Sequence, residues 1–268
     1  MSGRTAIVGS VESSPPVINV ALIGVQRSGS SSFAAKLAEH PEICLAKGKE
    51  AHLFDQLEVQ DHGPSAERLE ELFAHRSGER YLLDATPEYI WLPGCLEALK
   101  GHCPDVKIIA VLREPAERAR SQHALQMGRE WETLSFPRAL FAERKRLALD
   151  EAPMVLRSET RIHSYRTRGY YAHQIAHLLK IFPDALILAF DELLEKPDES
   201  LARAYEHLGL ELPASSQELE RLNAFRGDEF SLTEQILRLW MSRETRKTEK
   251  LLGWDRGALK RARSPRTH

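Results

Sequence analysis

The stretch from residue 17 to residue 40 constrains this chain most. Val17-Ile18-Asn19-Val20-Ala21-Leu22-Ile23 is short, apolar and β-branched, the pattern of a strand buried on both faces. A glycine–serine loop follows over residues 24–32, and residues 33–40 read as helix up to Pro41. A strand, a glycine loop and a helix in that order open a parallel-sheet unit. The strand pattern returns at residues 106–112, after Pro104-Asp105, and at residues 185–190, after Pro183-Asp184. Tyr81-Leu82-Leu83 is a shorter candidate. Helical patterns occupy residues 116–127, 137–149, 171–181 and 201–208, the last closing on Gly209 as a C-cap. Buried strands separated by helices predict an α/β, P-loop-like three-layer fold, a central parallel sheet with helices on both faces. There is no internal repeat and no mid-chain linker. The expected organisation is a flexible leader over 1–16, one domain over 17–255 and a solvated basic tail over 256–268.

The loop itself carries chemistry. Exposed N–H groups and the positive end of a helix favour a phosphate there, and glycine lets the backbone approach it closely. Gly24 and Gly29 have the spacing of a nucleoside-triphosphatase loop, GxxxxGK, but Ser30 stands where the lysine would be. Without that lysine nothing in the loop reaches the terminal phosphates of a nucleoside triphosphate. The loop cation is Arg27 instead. The run ending Phe190-Asp191-Glu192 has the form of a Walker B strand, yet its Walker A partner is missing, so a triphosphatase or kinase-like reading is the alternative, not the choice.

Composition narrows the partners. A net charge of −2 gives no overall pull towards nucleic acid or an acidic membrane, and 7% aromatic residues provide no stacking ladder for single strands. Cys44, Cys95 and Cys103 are widely spaced and odd in number, which predicts free thiols rather than a disulfide framework or a metal centre. The longest apolar stretch, residues 17–25, is far shorter than the roughly 20 residues a bilayer span needs. These features predict a cytoplasmic protein with no nucleic-acid partner, no membrane partner and no metal. They leave the oligomeric state open.

A loop of this form, followed by helix, His40-Pro41 and then Lys49-Glu50-Ala51-His52, resembles sulfotransferases that use 3′-phosphoadenosine 5′-phosphosulfate (PAPS), above all the branch of the heparan-sulfate enzymes and their bacterial relatives. The similarity runs from about Val17 to Trp254. In that family the loop reads roughly GVxKxGTT and binds the 5′-phosphosulfate, its lysine touching the bridging oxygen. The resemblance therefore implies that Arg27, Ser28, Gly29, Ser30, Ser31 and Ser32 hold the cofactor, with arginine in the lysine's place. It further implies that Glu50 is the general base and that His52 sits close by, as in the family's KExHFF segment.

Arg113-Glu114-Pro115, with Ser121 eight residues after the arginine, matches the family's 3′-phosphate motif most specifically. The physics agrees, since a guanidinium fork at a strand end suits phosphate oxygens and Pro115 fits the first turn of a helix. Leu83-Asp84-Ala85-Thr86-Pro87-Glu88-Tyr89 is similar to the EKSPxY segment near the acceptor, with Ala85 where some polysaccharide enzymes carry lysine. Residues 168–175, 182–183 and 190–197 read as scaffold; Arg120 reads as a solvated helix position, while Arg118 stays open between that and the phosphate motif. Arg226 lies where relatives place a basic loop over the cofactor.

The implied activity is in-line transfer of a sulfuryl group from PAPS to a hydroxyl or amine of a small-molecule or carbohydrate acceptor. A nucleotide-binding module without turnover is the rival, and Glu50 with Arg27 speaks for the enzyme. His52, Asp84, Glu88 and His123 are the other candidate bases.

Overall fold

The computed structural model describes residues 17–212 and 232–260. Five parallel strands form one sheet in the order β2-β3-β1-β4-β5. They are β1 (Val20–Leu22), β2 (Ile43–Leu45), β3 (Tyr81–Asp84), β4 (Lys107–Leu112) and β5 (Leu186–Ala189). The expected α/β three-layer architecture is the one observed. Successive residues of β4 face opposite sides, as the pleat requires. Ile108, Ala110 and Leu112 join one apolar core, while Ile109 and Val111 join the other.

The α-helices among the described residues are α1 (Ser30–Leu37), α2 (Leu57–His62), α3 (Ala66–Leu72), α4 (Cys95–His102), α5 (Pro115–Gly128), α6 (Phe136–Ala148), α7 (Glu159–His163), α8 (Tyr171–Ile181), α9 (Phe190–Glu195), α10 (Pro197–Leu208) and α11 (Leu232–Leu251). Helices α3, α4 and α8 cover the first face through Leu69, Leu99 and Ile175. Helices α1, α9 and α10 cover the second through Phe33, Leu193 and Leu208. A smaller cluster joins α5, α6 and α11 around Ala119, Ala139, Leu237 and Met241. Gly209, at φ 72°, caps α10 as expected.

Strand β2 was not anticipated; three residues at the sheet edge leave no periodicity to read. Helix α11 was not anticipated either. Its buried face runs Glu234, Leu237, Met241, Thr245, Thr248 and Glu249, so only two of its members are apolar and no stripe shows in the sequence. Arg120, expected to be solvated, is partly covered, and Arg118 is enclosed. Arg118 is fully buried, donating to Gln122 Oε1 at 2.7 Å, and Arg120 pairs with Glu234 of α11 at 3.0 Å. Arg118 also donates to the Tyr165 carbonyl, so the segment after α7 encloses it, while α11 accounts for Arg120. A 3₁₀ turn, Ala258–Lys260, brings Leu259 into the first core. The three cysteines are free and buried. No described helix is long and apolar enough to cross a membrane.

In a sheet of this order β1 is the switch point, where the chain turns from one side to the other. Open α/β sheets bind ligands outside the carboxyl ends of such strands.

Candidate functional site

Segments following all five strands meet at a cavity of about 510 Å³. After β1, Gly24 passes so close to β4 that a Cβ would lie 2.6 Å from Val111 N. The loop turns at Gly29, φ 79°, where a Cβ would press on Phe190 at 2.7 Å. Helix α1 therefore begins at Ser30 and points its free N–H groups into the cavity, beside the side chains of Ser31 and Ser32. Ser28 is buried and its Oγ has no hydrogen-bond partner. The loop after β4 supplies Arg113, which lines the same cavity together with Ser121 of α5. Its Nη1 donates to the Arg27 carbonyl at 3.1 Å, and its Nε has no partner. Pro115 opens α5 and the Glu114 carboxylate caps it, accepting from Glu117 N at 2.9 Å.

Arg27 crosses between these two halves: its Nε donates to Ser121 Oγ at 3.1 Å. Burial, then the neighbouring Arg113 and Arg129, lower its pKa. The loop with its helix end and the Arg113–Ser121 pair, two sets of donors suited to anions, thus line one cavity. This donor set fits a nucleotide with phosphates at two positions. The expected contact Arg226 lies outside the described residues.

The segment after β2 brings in the acid and its partners. Glu50 Oε1 is 2.6 Å from Lys49 Nζ and Oε2 is 3.1 Å from His52 Nε2, while His52 Nδ1 is 2.7 Å from buried Asp55. Burial opposes the charge on Glu50, yet the His52 bond and the Lys49 ammonium pull its pKa down to about 2. For His52 burial also opposes charge, but the bonds to Asp55 and Glu50 outweigh it and hold the pKa near 10. Arg161 of α7 donates to both Asp55 and Glu88, and Arg168 reaches Glu88 at 2.7 Å. His52, Asp55 and Glu88 are close enough together to hold a metal, and the Arg161 guanidinium lies among them, 3.4 Å from His52 Nδ1.

Asp84, His123 and Glu88, three of the other candidate bases, are each engaged by other groups. Asp84 is completely buried and accepts from Ala51 N, Thr86 Oγ1 and Tyr89 OH at 3.1, 2.6 and 2.7 Å. Tyr89 OH in turn accepts from Leu53 N at 2.9 Å. The Asp84–Tyr89 segment is thus the support of the loop that carries Glu50. His123 is bonded to the Leu134 carbonyl and packed on Phe136, away from the cavity. Glu88 lines the cavity with its carboxylate clamped by two arginines.

Four residues with left-handed backbone line this cavity without being glycine: Arg27 at φ 73°, Lys49 at 72°, His52 at 49° and Arg157 at 67°. Such conformations cost energy and persist where the surroundings hold them. Sequence reasoning did not find Arg129, Trp131 and Arg157, which line the opposite wall, each guanidinium 5.0 Å from the indole centre. They come from connections on either side of α6, and no motif marks them.

Residues 48–214 match the model of the sulfotransferase family. The chain is 25% identical over 201 residues to human heparan sulfate glucosamine 3-O-sulfotransferase 3A1, covering 74% of this chain and 46% of the relative. To the mouse heparan sulfate glucosamine 3-O-sulfotransferase 6 it is 27% identical over 191 residues, covering 70% and 51%. The chain spans about half the length of these curated relatives. A sulfotransferase crystal structure from Alicyclobacillus acidocaldarius superposes with a TM-score of 0.75 at 25% identity, covering 92% of this chain and 100% of that one. With a family model matching most of the chain, and with the loop after β1 and the Arg113–Ser121 pair meeting at the carboxyl ends of the sheet, this protein belongs to the sulfotransferase family and is similar to the heparan-sulfate enzymes.

Proposed function

We propose that this chain transfers a sulfuryl group from PAPS to a hydroxyl or amine of a small-molecule or carbohydrate acceptor by in-line displacement. One observation carries the reading: the phosphate loop, the Arg113–Ser121 pair and Glu50 line a single cavity. Residues 28–32 and the N-terminus of α1 hold the 5′-phosphosulfate. Arg113 and Ser121 hold the 3′-phosphate, with Arg27 at their side. The loop N–H groups stabilise charge growing on the leaving phosphate oxygen, as oriented dipoles do in a dry site. Glu50 takes the proton from the acceptor, the kind of step that contributes typically ~10²–10⁴-fold. The similarity to heparan sulfate 3-O-sulfotransferases favours a carbohydrate among the acceptor classes.

The test is calorimetric. The protein should bind 3′-phosphoadenosine 5′-phosphate (PAP) much more tightly than AMP, and Arg113→Ala should erase most of that preference, a charge-assisted contact contributing about 1.5–3 kcal/mol. Equal affinity for PAP and AMP in the unsubstituted protein would sink the PAPS assignment.

A further inference from the structure

The sulfur in transit lies between the donor loop and the base, because it leaves a phosphate oxygen and joins the oxygen that Glu50 deprotonates. One ammonium already spans that gap. Lys49 Nζ is 3.2 Å from Ser30 Oγ, at the start of α1, and 2.6 Å from Glu50 Oε1. Arg27, the cation inside the loop, is directed elsewhere, to Ser121. The segment after β3 contributes no cation here, since Ala85 is the buried residue that follows Asp84.

The backbone singles out Lys49 as well. It sits at φ 72° directly after Gly48 at φ 80°. Lys49 N donates to the Ala46 carbonyl at 2.8 Å, and its own carbonyl accepts from Ala85 N at 3.1 Å. A glycine would adopt this conformation freely, whereas a side chain there is strained. The strain is held by those two bonds, and its result is a lysine delivered to the junction of loop and base with only 16% of its side chain exposed.

We propose that Lys49 is the cation on the transferring group: with PAPS bound, its ammonium moves from Glu50 to the sulfuryl oxygens. The proposal rests on the PAPS reading above. In the step the bond from sulfur to the phosphate oxygen breaks and a bond from sulfur to the acceptor oxygen forms. The acceptor proton passes to Glu50, and the electron pair of the broken bond stays on PAP. Lys49 remains protonated and offsets the negative charge of the sulfuryl oxygens throughout. Its departure from Glu50 also frees that carboxylate to accept a proton, so donor binding and base readiness are linked through one side chain.

PAP and PAPS differ by the sulfuryl group alone, which makes calorimetry with both ligands decisive without any acceptor. Lys49→Met should weaken PAPS binding about tenfold or more and leave PAP binding within about twofold, as the loss of one charged contact predicts. Lys49→Gly removes the same ammonium while suiting the left-handed backbone, and it should give the same split if Lys49→Met folds poorly. Equal losses for both ligands, or no loss for either, would overturn the assignment and leave Lys49 as a partner of Glu50 alone. An unsubstituted protein that binds neither ligand would instead overturn the PAPS reading itself.

Discussion

Arg27 Nε donates to Ser121 Oγ at 3.1 Å, tying the loop after β1 to the second turn of α5. Residues 94 positions apart in sequence are thereby joined across the carboxyl end of the sheet. If the cavity holds PAP as proposed, the bond couples the two groups that would hold its phosphates. Arg27→Ala and Ser121→Ala should each weaken PAP binding, and the double variant should lose less than the sum. Directly contacting pairs show interaction energies of about 0.5–3 kcal/mol in such cycles. Strict additivity in calorimetry would mean that the two side chains act independently.

Glu50 and His52 separate by role. Glu50→Gln keeps the shape of the side chain but cannot accept a proton, so PAP affinity should stay nearly intact while turnover falls roughly 10²-fold or more. His52→Ala should produce a smaller fall, since His52 touches Glu50 from the side held by Asp55. The measurement is single-turnover sulfation with any acceptor found in a screen. An inactive His52→Ala beside a normal Glu50→Gln would make the histidine the base.

Protonation of this cluster should also be visible in stability. The folded-state pKa of His52, about 10, lies above its ordinary 6.5, so its contribution is complete below pH 6.5 and is lost as pH rises through 10. Glu50, lowered from 4.5 to about 2, contributes fully above pH 4.5 and loses that contribution as pH falls through 2. Urea unfolding of the protein should therefore show stability falling between pH 6.5 and 10 by more than it does for His52→Gln. Parallel alkaline profiles for the two proteins would contradict the ion-paired geometry.

Tyr89→Phe tests the support beneath the base. The hydroxyl accepts from Leu53 N at 2.9 Å and donates to Asp84 at 2.7 Å, all of it buried. Leaving buried polar groups unpaired costs about 1–3 kcal/mol each. The variant should unfold at lower urea concentration and keep its PAP affinity, because the phosphate loop hangs from β1 and not from this segment. Unchanged stability would show that other groups replace the hydroxyl.

The sequence by itself determined four of the five strands, all but β2, and marked the loop after β1 and the Arg113–Ser121 segment as candidates for holding phosphate. Buried parallel strands are short apolar runs with punctuating turns, and a phosphate loop draws on contiguous residues at a helix start, so both are written locally in residues 17–32 and 106–121. Tertiary structure decided the rest. It directed Arg27 to Ser121, placed Lys49 between Ser30 and Glu50, and turned Asp84 from a candidate base into a buried anchor. It also brought Arg129, Trp131 and Arg157 to the far wall and laid α11 over Arg120. These outcomes depend on which segments meet at the sheet end. A carboxylate's role follows from its burial and partners, and neither is a property of its neighbours in sequence.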